Sequence, residues 1–245
     1  MLAEITREEF SAALEGVVAE VLAAAAVDRP PVDALSIART LGITIAWDDR
    51  QQGRGRYVRL RGHHGGRSQA TILTRPEPRP ERRQWAVAHE IGEHVAHRAF
   101  AILGVDAREA PSDAREQVAN HLARRLLLPA GWFAADGAGC AWDLLWLKGR
   151  YRTASHELIA RRMLEMPPPV IVSIFDNGVL YFRRSNVPGC VPPPLPAEIA
   201  CRRVVHDNNR ARQTCDGPHS IQGWPVHEDG WQREILRVEL DLEAL

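Results

Sequence analysis

The spacing of hydrophobic residues along the chain predicts a mostly helical first part. A Thr-x-x-Glu capping box at Thr6 precedes apolar residues that recur every three or four positions, as they do on one helix face. A second helix begins after Pro31 and ends at Gly42. Longer helices are predicted over residues 81–100 and 112–128, with Ser112 as the N-cap of the second and Pro129 as its stop. Shorter helical patterns follow at residues 144–147 and 155–166.

Alternating and β-branched residues predict strands in two places. Three strands lie before the long helices, at residues 43–47, 56–60 and 70–74. After the prolines at 167–169 the pattern changes to strands again, with Asp176-Asn177-Gly178 as a strong hairpin signal. We therefore expect an α+β protein, divided into an N-terminal helix (residues 1–29), a mostly helical domain with a small N-terminal β-sheet (30–166) and a small β-rich C-terminal region (167–245).

Composition narrows the classes of function. The chain has 31 basic and 31 acidic residues, so bulk charge gives no attraction to a phosphate backbone, and we expect no direct nucleic-acid binding. The longest apolar stretch, residues 17–27, is interrupted by Glu20 and is shorter than the roughly 20 residues that a membrane span needs. The first residues lack the basic segment of a secretory signal, and the four cysteines form no C-x-x-C pair. These features predict a cytoplasmic protein with free thiols.

Candidate chemistry is concentrated in residues 85–97. Three histidines and two glutamates occupy nine positions of an otherwise apolar helix, where such groups are costly to bury unless they are paired or bind a metal. In the H-E-x-x-H pattern, ligands at i and i+4 lie on one helix face and bind a zinc ion, while the glutamate takes a proton from water. His89 and Glu90 match the first two positions, whereas Glu93 stands in place of the second histidine and His94 follows it.

A second motif lies on the next predicted helix, where residues 116–129 begin with Glu116. Together the two segments resemble the ImmA/IrrE family of metallo-endopeptidases, in which a sequence like AHELGHxxxH is followed by ExxANxFAxxLLMP. The resemblance covers roughly residues 28–165. It implies a zinc-dependent, zincin-like (gluzincin-like) fold in which two helices hold the metal. It also implies a protein substrate, because family members cleave helix-turn-helix repressors and so switch on stress or mobile-element genes.

The resemblance assigns roles to particular residues. It implies that His89 is the first metal ligand, Glu90 the general base and Glu116 the carboxylate ligand from the second helix. His97 matches a common family histidine that is not a ligand, and Asn120 matches the asparagine of the second motif. We expect these last two side chains beside the ligands rather than on the metal.

Glu93 leaves the second ligand open, and three interpretations compete. Glu93 ligates through its carboxylate, which suits Zn²⁺ or a harder ion such as Mn²⁺ or Fe²⁺. Alternatively His94 ligates, which needs a π-bulge because it lies about 140° from His89 on an ideal helix. In the third interpretation the site binds no metal. The first is favoured because i,i+4 ligands need no distortion of the helix.

The sequence therefore predicts a metal-dependent endopeptidase that acts on a protein. No helix-turn-helix repressor domain precedes residue 30, so a repressor substrate is expected to be a separate chain. The alternative function is that of a catalytically degenerate family member, which acts as a regulatory or sensor binding protein. A basic face over residues 147–163 also permits a DNA-contacting helix, but such faces are usually only solvated.

Overall fold

The computed structural model describes residues 5–50, 55–60 and 68–241 and divides into two compact units. The first unit runs to Phe133 and includes Arg150–Ala154, and the second comprises Ala134–Gly149 and Ser155–Leu245. The mixed α+β class expected from the sequence is confirmed. Among the described residues, no helix is both long and apolar enough to cross a bilayer.

The first unit contains three long helices, one short helix, the start of a further helix and a small sheet. In chain order these are α1 (Arg7–Ala24), α2 (Ala34–Thr40), β1 (Thr44–Trp47), β2 (Gly55–Leu60), β3 (Gln69–Thr74), α3 (Pro80–Ile102) and α4 (Ser112–Leu127), and α5 (Ala130–Gly139) begins here and continues into the second unit. The sheet order is β1-β3-β2, with β1 parallel and β2 antiparallel to β3. Strand β2 therefore lies at an edge of this sheet.

Local sequence accounts for the ends of these helices. Thr6 and Glu9 form the predicted capping box of α1. Helix α3 begins with Pro80 at its first turn, where a missing N–H costs nothing. The predicted N-cap at Ser112 is wrong by one residue: Pro111 occupies the cap position without a side-chain hydrogen bond, and Ser112 is already helical. Because proline fixes its own φ, it can set the start of α4 without a capping side chain.

Helices α3 and α4 form the centre of the first unit. A side chain at Gly92 would meet the backbone of α4, since a Cβ there would lie 2.6 Å from the carbonyl oxygen of Ala119. Glycine thus lets the two helix backbones approach each other closely. Apolar side chains from α1, α2, β3, α3 and α4 surround this contact and are fully or almost fully buried: Leu14, Val17, Ile37, Ile72, Val87, Ile91, Phe100, Leu122 and Leu126.

The second unit is a five-stranded antiparallel sheet with helices. Its elements are α6 (Leu144–Arg150), α7 (His156–Met163), β4 (Val170–Asp176), β5 (Val179–Ser185), α8 (Pro196–Asn208), β6 (Arg212–Asp216), β7 (His219–Pro225) and β8 (Arg233–Glu239), and the strand order is β5-β4-β8-β7-β6. Asn177 and Gly178 both have positive φ and join β4 to β5, which confirms the predicted hairpin.

Helix α8 was not predicted from the sequence. Pro196 lies in its first turn, and only Cys201 and Val205 of its apolar residues are buried. These two side chains pack on Ile221 and Leu236 of the sheet. The apolar face of α8 is too narrow to stand out in a region rich in proline and arginine, so its helical state depends on the sheet beneath it.

Candidate metal centre

Helices α3 and α4 bring together the side chains that the sequence analysis proposed as ligands. Nε2 of His89 lies 3.9 Å from Oε1 of Glu93 and 3.6 Å from Oε1 of Glu116. The three potential ligand atoms all lie within 4.8 Å of one another. His89 and Glu93 are four residues apart on α3 and so share one face, while Glu116 comes from the first turns of α4.

Asn120 links the two helices at this site. Its Oδ1 lies 3.2 Å from Nδ1 of His89, and its Nδ2 donates to Oε1 of Glu116 at 3.1 Å. The bond to the side-chain carbonyl requires a proton on Nδ1 of His89. That proton leaves Nε2 with its lone pair directed toward the two carboxylates, which is the state in which a histidine binds a metal.

Glu90 is buried beside the three potential ligands. Its side chain is 4% exposed, and Oε2 has no hydrogen-bond partner in the described part of the chain. Burial is the main cause that raises the pKa of Glu90 to about 8, and the charge of Glu93 adds to the effect. A hydrogen bond from the backbone N–H of Tyr57 opposes this rise in the pKa.

Strand β2 lies against the Glu90 carboxyl. A Cβ at Gly55 would lie only 2.6 Å from Oε1 of Glu90, so no other residue fits there without displacing the glutamate. Neither Gly55 nor Tyr57 was among the residues proposed from the sequence. Their roles depend on the position of a strand against a helix, which no local motif encodes.

His94 and His97 lie elsewhere on α3. Nδ1 of His94 is 2.9 Å from the hydroxyl of Tyr57, and their ring centroids are 5.1 Å apart. Burial lowers the pKa of His94, and the charges of Arg59, His97 and Arg98 lower it further. His97 is exposed, and its Nδ1 contacts the carbonyl oxygen of His94 at 3.0 Å. Helix α3 is regular throughout, without the π-bulge that ligation by His94 requires.

The donor set fits a divalent metal ion. One imidazole nitrogen and two carboxylate oxygens are ligands that Zn²⁺, Mn²⁺ and Fe²⁺ accept, and two carboxylates balance a double positive charge. The unpartnered Oε2 of Glu90, buried beside them, is a polar atom that lacks the hydrogen bond normally found for such groups. A water molecule held next to the ion would supply that bond.

The second unit has another cluster of this composition, formed by His206, His227 and Glu234. His206 Nδ1 lies 2.8 Å from Oε1 of the buried Glu234, and Arg202 Nη1 lies 3.6 Å from the other oxygen. The N–H of Arg233 donates to Nδ1 of His227, which places the ring proton of His227 on Nε2, 3.8 Å from Glu234. The cluster joins α8 to β8, and among the described residues Nε2 of His227 and Oε2 of Glu234 also lack a hydrogen-bond partner.

Comparison with known proteins gives a family match and similarity to solved structures. Residues 38–163 match the family model of the IrrE N-terminal-like domain. This match confirms the resemblance found in the sequence. The solved structure of a "Mycobacterium tuberculosis transcriptional regulator" is similar in fold, with a TM-score of 0.64 and 16% identity over 94% of this chain and 76% of that chain. No curated protein matches the chain.

Proposed function

The chain belongs to the ImmA/IrrE family, and we propose that it is a metal-dependent endopeptidase whose first unit is zincin-like. The observation that carries the proposal is the cluster of His89, Glu93 and Glu116 beside a buried glutamate with an unpartnered oxygen. His89, Glu93 and Glu116 would hold the ion, which we propose to be Zn²⁺, with Mn²⁺ or Fe²⁺ as alternatives. Such an ion supplies Lewis-acid chemistry: it polarises a peptide carbonyl and acidifies water.

Glu90 performs the proton transfers in this proposal. Its Oε2 accepts a proton from the water molecule whose oxygen attacks the carbonyl carbon of the peptide. When the carbon–nitrogen bond breaks, Glu90 returns that proton to the leaving nitrogen. Glu90 must be ionised to take the proton, and a cation held by the neighbouring ligands would favour that ionised form over the neutral form that burial favours in the metal-free protein.

The decisive variant is Glu90→Gln, which keeps the size of the side chain and removes the base. Cleavage of a fluorogenic peptide library should fall by about 10²- to 10⁴-fold, while the protein still binds one equivalent of metal. The matched control is Glu109→Gln, at an exposed position in the same unit, which should cleave as the wild type does. Equal cleavage by Glu90→Gln and wild type would show that Glu90 is not the base.

We propose that the substrate is a protein, and that it is a helix-turn-helix repressor of the class that the family resemblance implies. The similar solved structure is that of a transcriptional regulator, which is compatible with a role in transcription.

A second candidate function rests on Glu93. Because a carboxylate replaces the second histidine, we also consider a regulatory or sensor binding protein that uses this fold without hydrolysis. Metal analysis and the peptide assay together distinguish the two candidate functions. A purified chain without stoichiometric metal, or one with metal that cleaves no peptide, favours the binding protein.

A further inference from the structure

We infer that His94 is a positioning residue: by binding Tyr57 it holds strand β2 over the carboxyl of Glu90. This inference rests on the proposed function, in which Glu90 is the base. It concerns a histidine that is unnecessary for ligation, because His89, Glu93 and Glu116 already provide three ligand atoms.

Strand β2 is held by its sheet on one side only. In the described sheet it is the edge strand, and it pairs with β3 alone. Strand β2 also contacts helix α3, where the backbone N–H of Tyr57 lies close enough to Glu90 to oppose the rise in the pKa of that carboxyl. An edge strand with few partners opens more readily than a central one. A side-chain hydrogen bond from α3 to β2 would therefore help to hold this edge strand in place.

The spacing of residues on helix α3 matches the spacing of residues on strand β2. Glu90 and His94 are four residues apart and so lie on one face of α3, about 6 Å apart along its axis. Gly55 and Tyr57 are two residues apart on one face of β2, a rise of about 6.6 Å. When Gly55 lies over Glu90, the Tyr57 side chain can therefore reach His94. The two contacts together fix one register of strand β2 along helix α3.

The side chains of His94 and Tyr57 make a close contact with good hydrogen-bond geometry. The distance of 2.9 Å between Nδ1 of His94 and the hydroxyl of Tyr57 is that of a good hydrogen bond. The two rings also pack on each other, with a tilt of 49°. Both side chains are partly buried, so water competes less for this bond than it would on an open surface.

Two substitutions at one position test the inference. His94→Asn keeps a polar atom near the position of Nδ1, whereas His94→Leu removes the bond but favours the helix more. We expect His94→Leu to speed hydrogen exchange of the β2 amides by about 3- to 10-fold, as loss of one hydrogen bond predicts, and His94→Asn to stay close to wild type. Tyr57→Phe should match His94→Leu, and the double variant should be no worse than either single one. Tyr181→Phe, an exposed tyrosine of the second unit, is the control.

A catalytic readout separates positioning from simple support of the fold. On the fluorogenic peptide that the wild type cleaves best, His94→Leu and Tyr57→Phe should lower kcat by about 3- to 10-fold. KM and the dissociation constant for Zn²⁺ should stay within about two-fold, because neither side chain is a ligand.

Each result decides the matter. Equal exchange in His94→Leu and His94→Asn, additive effects in the double variant, or faster exchange with an unchanged kcat would overturn the inference. A large loss of Zn²⁺ affinity in His94→Leu would also overturn it and make His94 a ligand. If the wild type cleaves no peptide, the proposed function fails, and hydrogen exchange alone decides whether His94 holds β2 over Glu90.

Discussion

At the scale of single residues, Asn120 orients two candidate ligands although it binds no metal itself in our proposal. Its amide contacts one candidate ligand on each helix, His89 on α3 and Glu116 on α4. It fixes the ring nitrogen of His89 that carries the proton and restrains a glutamate side chain that is 56% exposed. Without Asn120, Glu116 would sample several rotamers, and binding a metal would have to order it.

Asn120→Leu should therefore weaken metal binding although no ligand is lost. We expect the dissociation constants for Zn²⁺ and Mn²⁺ to rise by about 10- to 100-fold, the usual cost of removing a group that orients a ligand. Isothermal titration with each ion would measure this. Gln117→Leu is the matched control, since it exchanges an exposed amide for leucine on the same helix and should leave both constants within about two-fold. Equal constants for both variants would remove Asn120 from the site.

At the scale of elements, the site depends on the distance between α3 and α4. Gly92 lies within the same helical turn as His89 and Glu93, and it faces the backbone of Ala119, next to Asn120. Since a Cβ at this position would lie 2.6 Å from a carbonyl oxygen, any larger residue must push the helices apart. That displacement would separate His89 from Glu116.

Gly92→Ala should consequently lower both stability and metal affinity. Strain in a packed helix contact typically costs about 1–3 kcal/mol, more than alanine gains in helix propensity. Urea unfolding of the metal-free protein measures the first effect, and titration with Zn²⁺ should show at least about a ten-fold loss in affinity. Gly16→Ala in α1 is the control, because a Cβ there meets nothing within 4 Å and should stabilise by up to about 1 kcal/mol. A stabilised Gly92→Ala would contradict the close approach.

The elements also show what can be predicted from this sequence. Helices α3 and α4 follow from apolar spacing and prolines, and the pairing of His89 with Glu93 follows from the i,i+4 geometry of a helix. Glu116 was named because the family resemblance implied it. The position of β2 over Glu90 could not be predicted, because a local pattern does not specify which helix face a strand meets. For the same reason Tyr57 and Gly55 were missed, and His94 was considered only as a ligand.

At the scale of the whole molecule, the proposed site and the fully buried ion pair of Arg183 with Glu198 lie in different units. All the proposed ligands, Glu90 and its cover belong to the first unit. The second unit instead buries charged pairs such as Arg183 with Glu198, whose exposed fractions are 8% and 1%. These pairs are charge-balanced, whereas the carboxylates of the site form no ion pair with a lysine or arginine of the described residues. A cation bound at the site would balance the charge of these carboxylates.

The raised pKa of Glu90 makes the stability of the metal-free protein depend on pH. In the metal-free protein the folded state holds the Glu90 proton up to a pKa of about 8, while the unfolded chain releases it near the ordinary value of 4.5. Between these values the folded state binds more protons, so the free energy of unfolding should fall as pH rises, by at most about 1.4 kcal/mol per pH unit. The stabilising contribution is complete below the unfolded pKa and is lost as pH passes the folded one.

Urea unfolding in the presence of a chelator, at several pH values between about 5 and 8, would measure this slope. Glu90→Gln cannot titrate, so its free energy of unfolding should vary less with pH and exceed that of the wild type most clearly near pH 8. Titrating groups that do not interact with Glu90 contribute equally to both proteins and cancel in the comparison, so the difference reports Glu90 together with its neighbours Glu93 and Glu116. Parallel curves would mean that the Glu90 carboxyl ionises as readily in the folded protein as in the unfolded chain, and would contradict the burial of this carboxyl in the metal-free site.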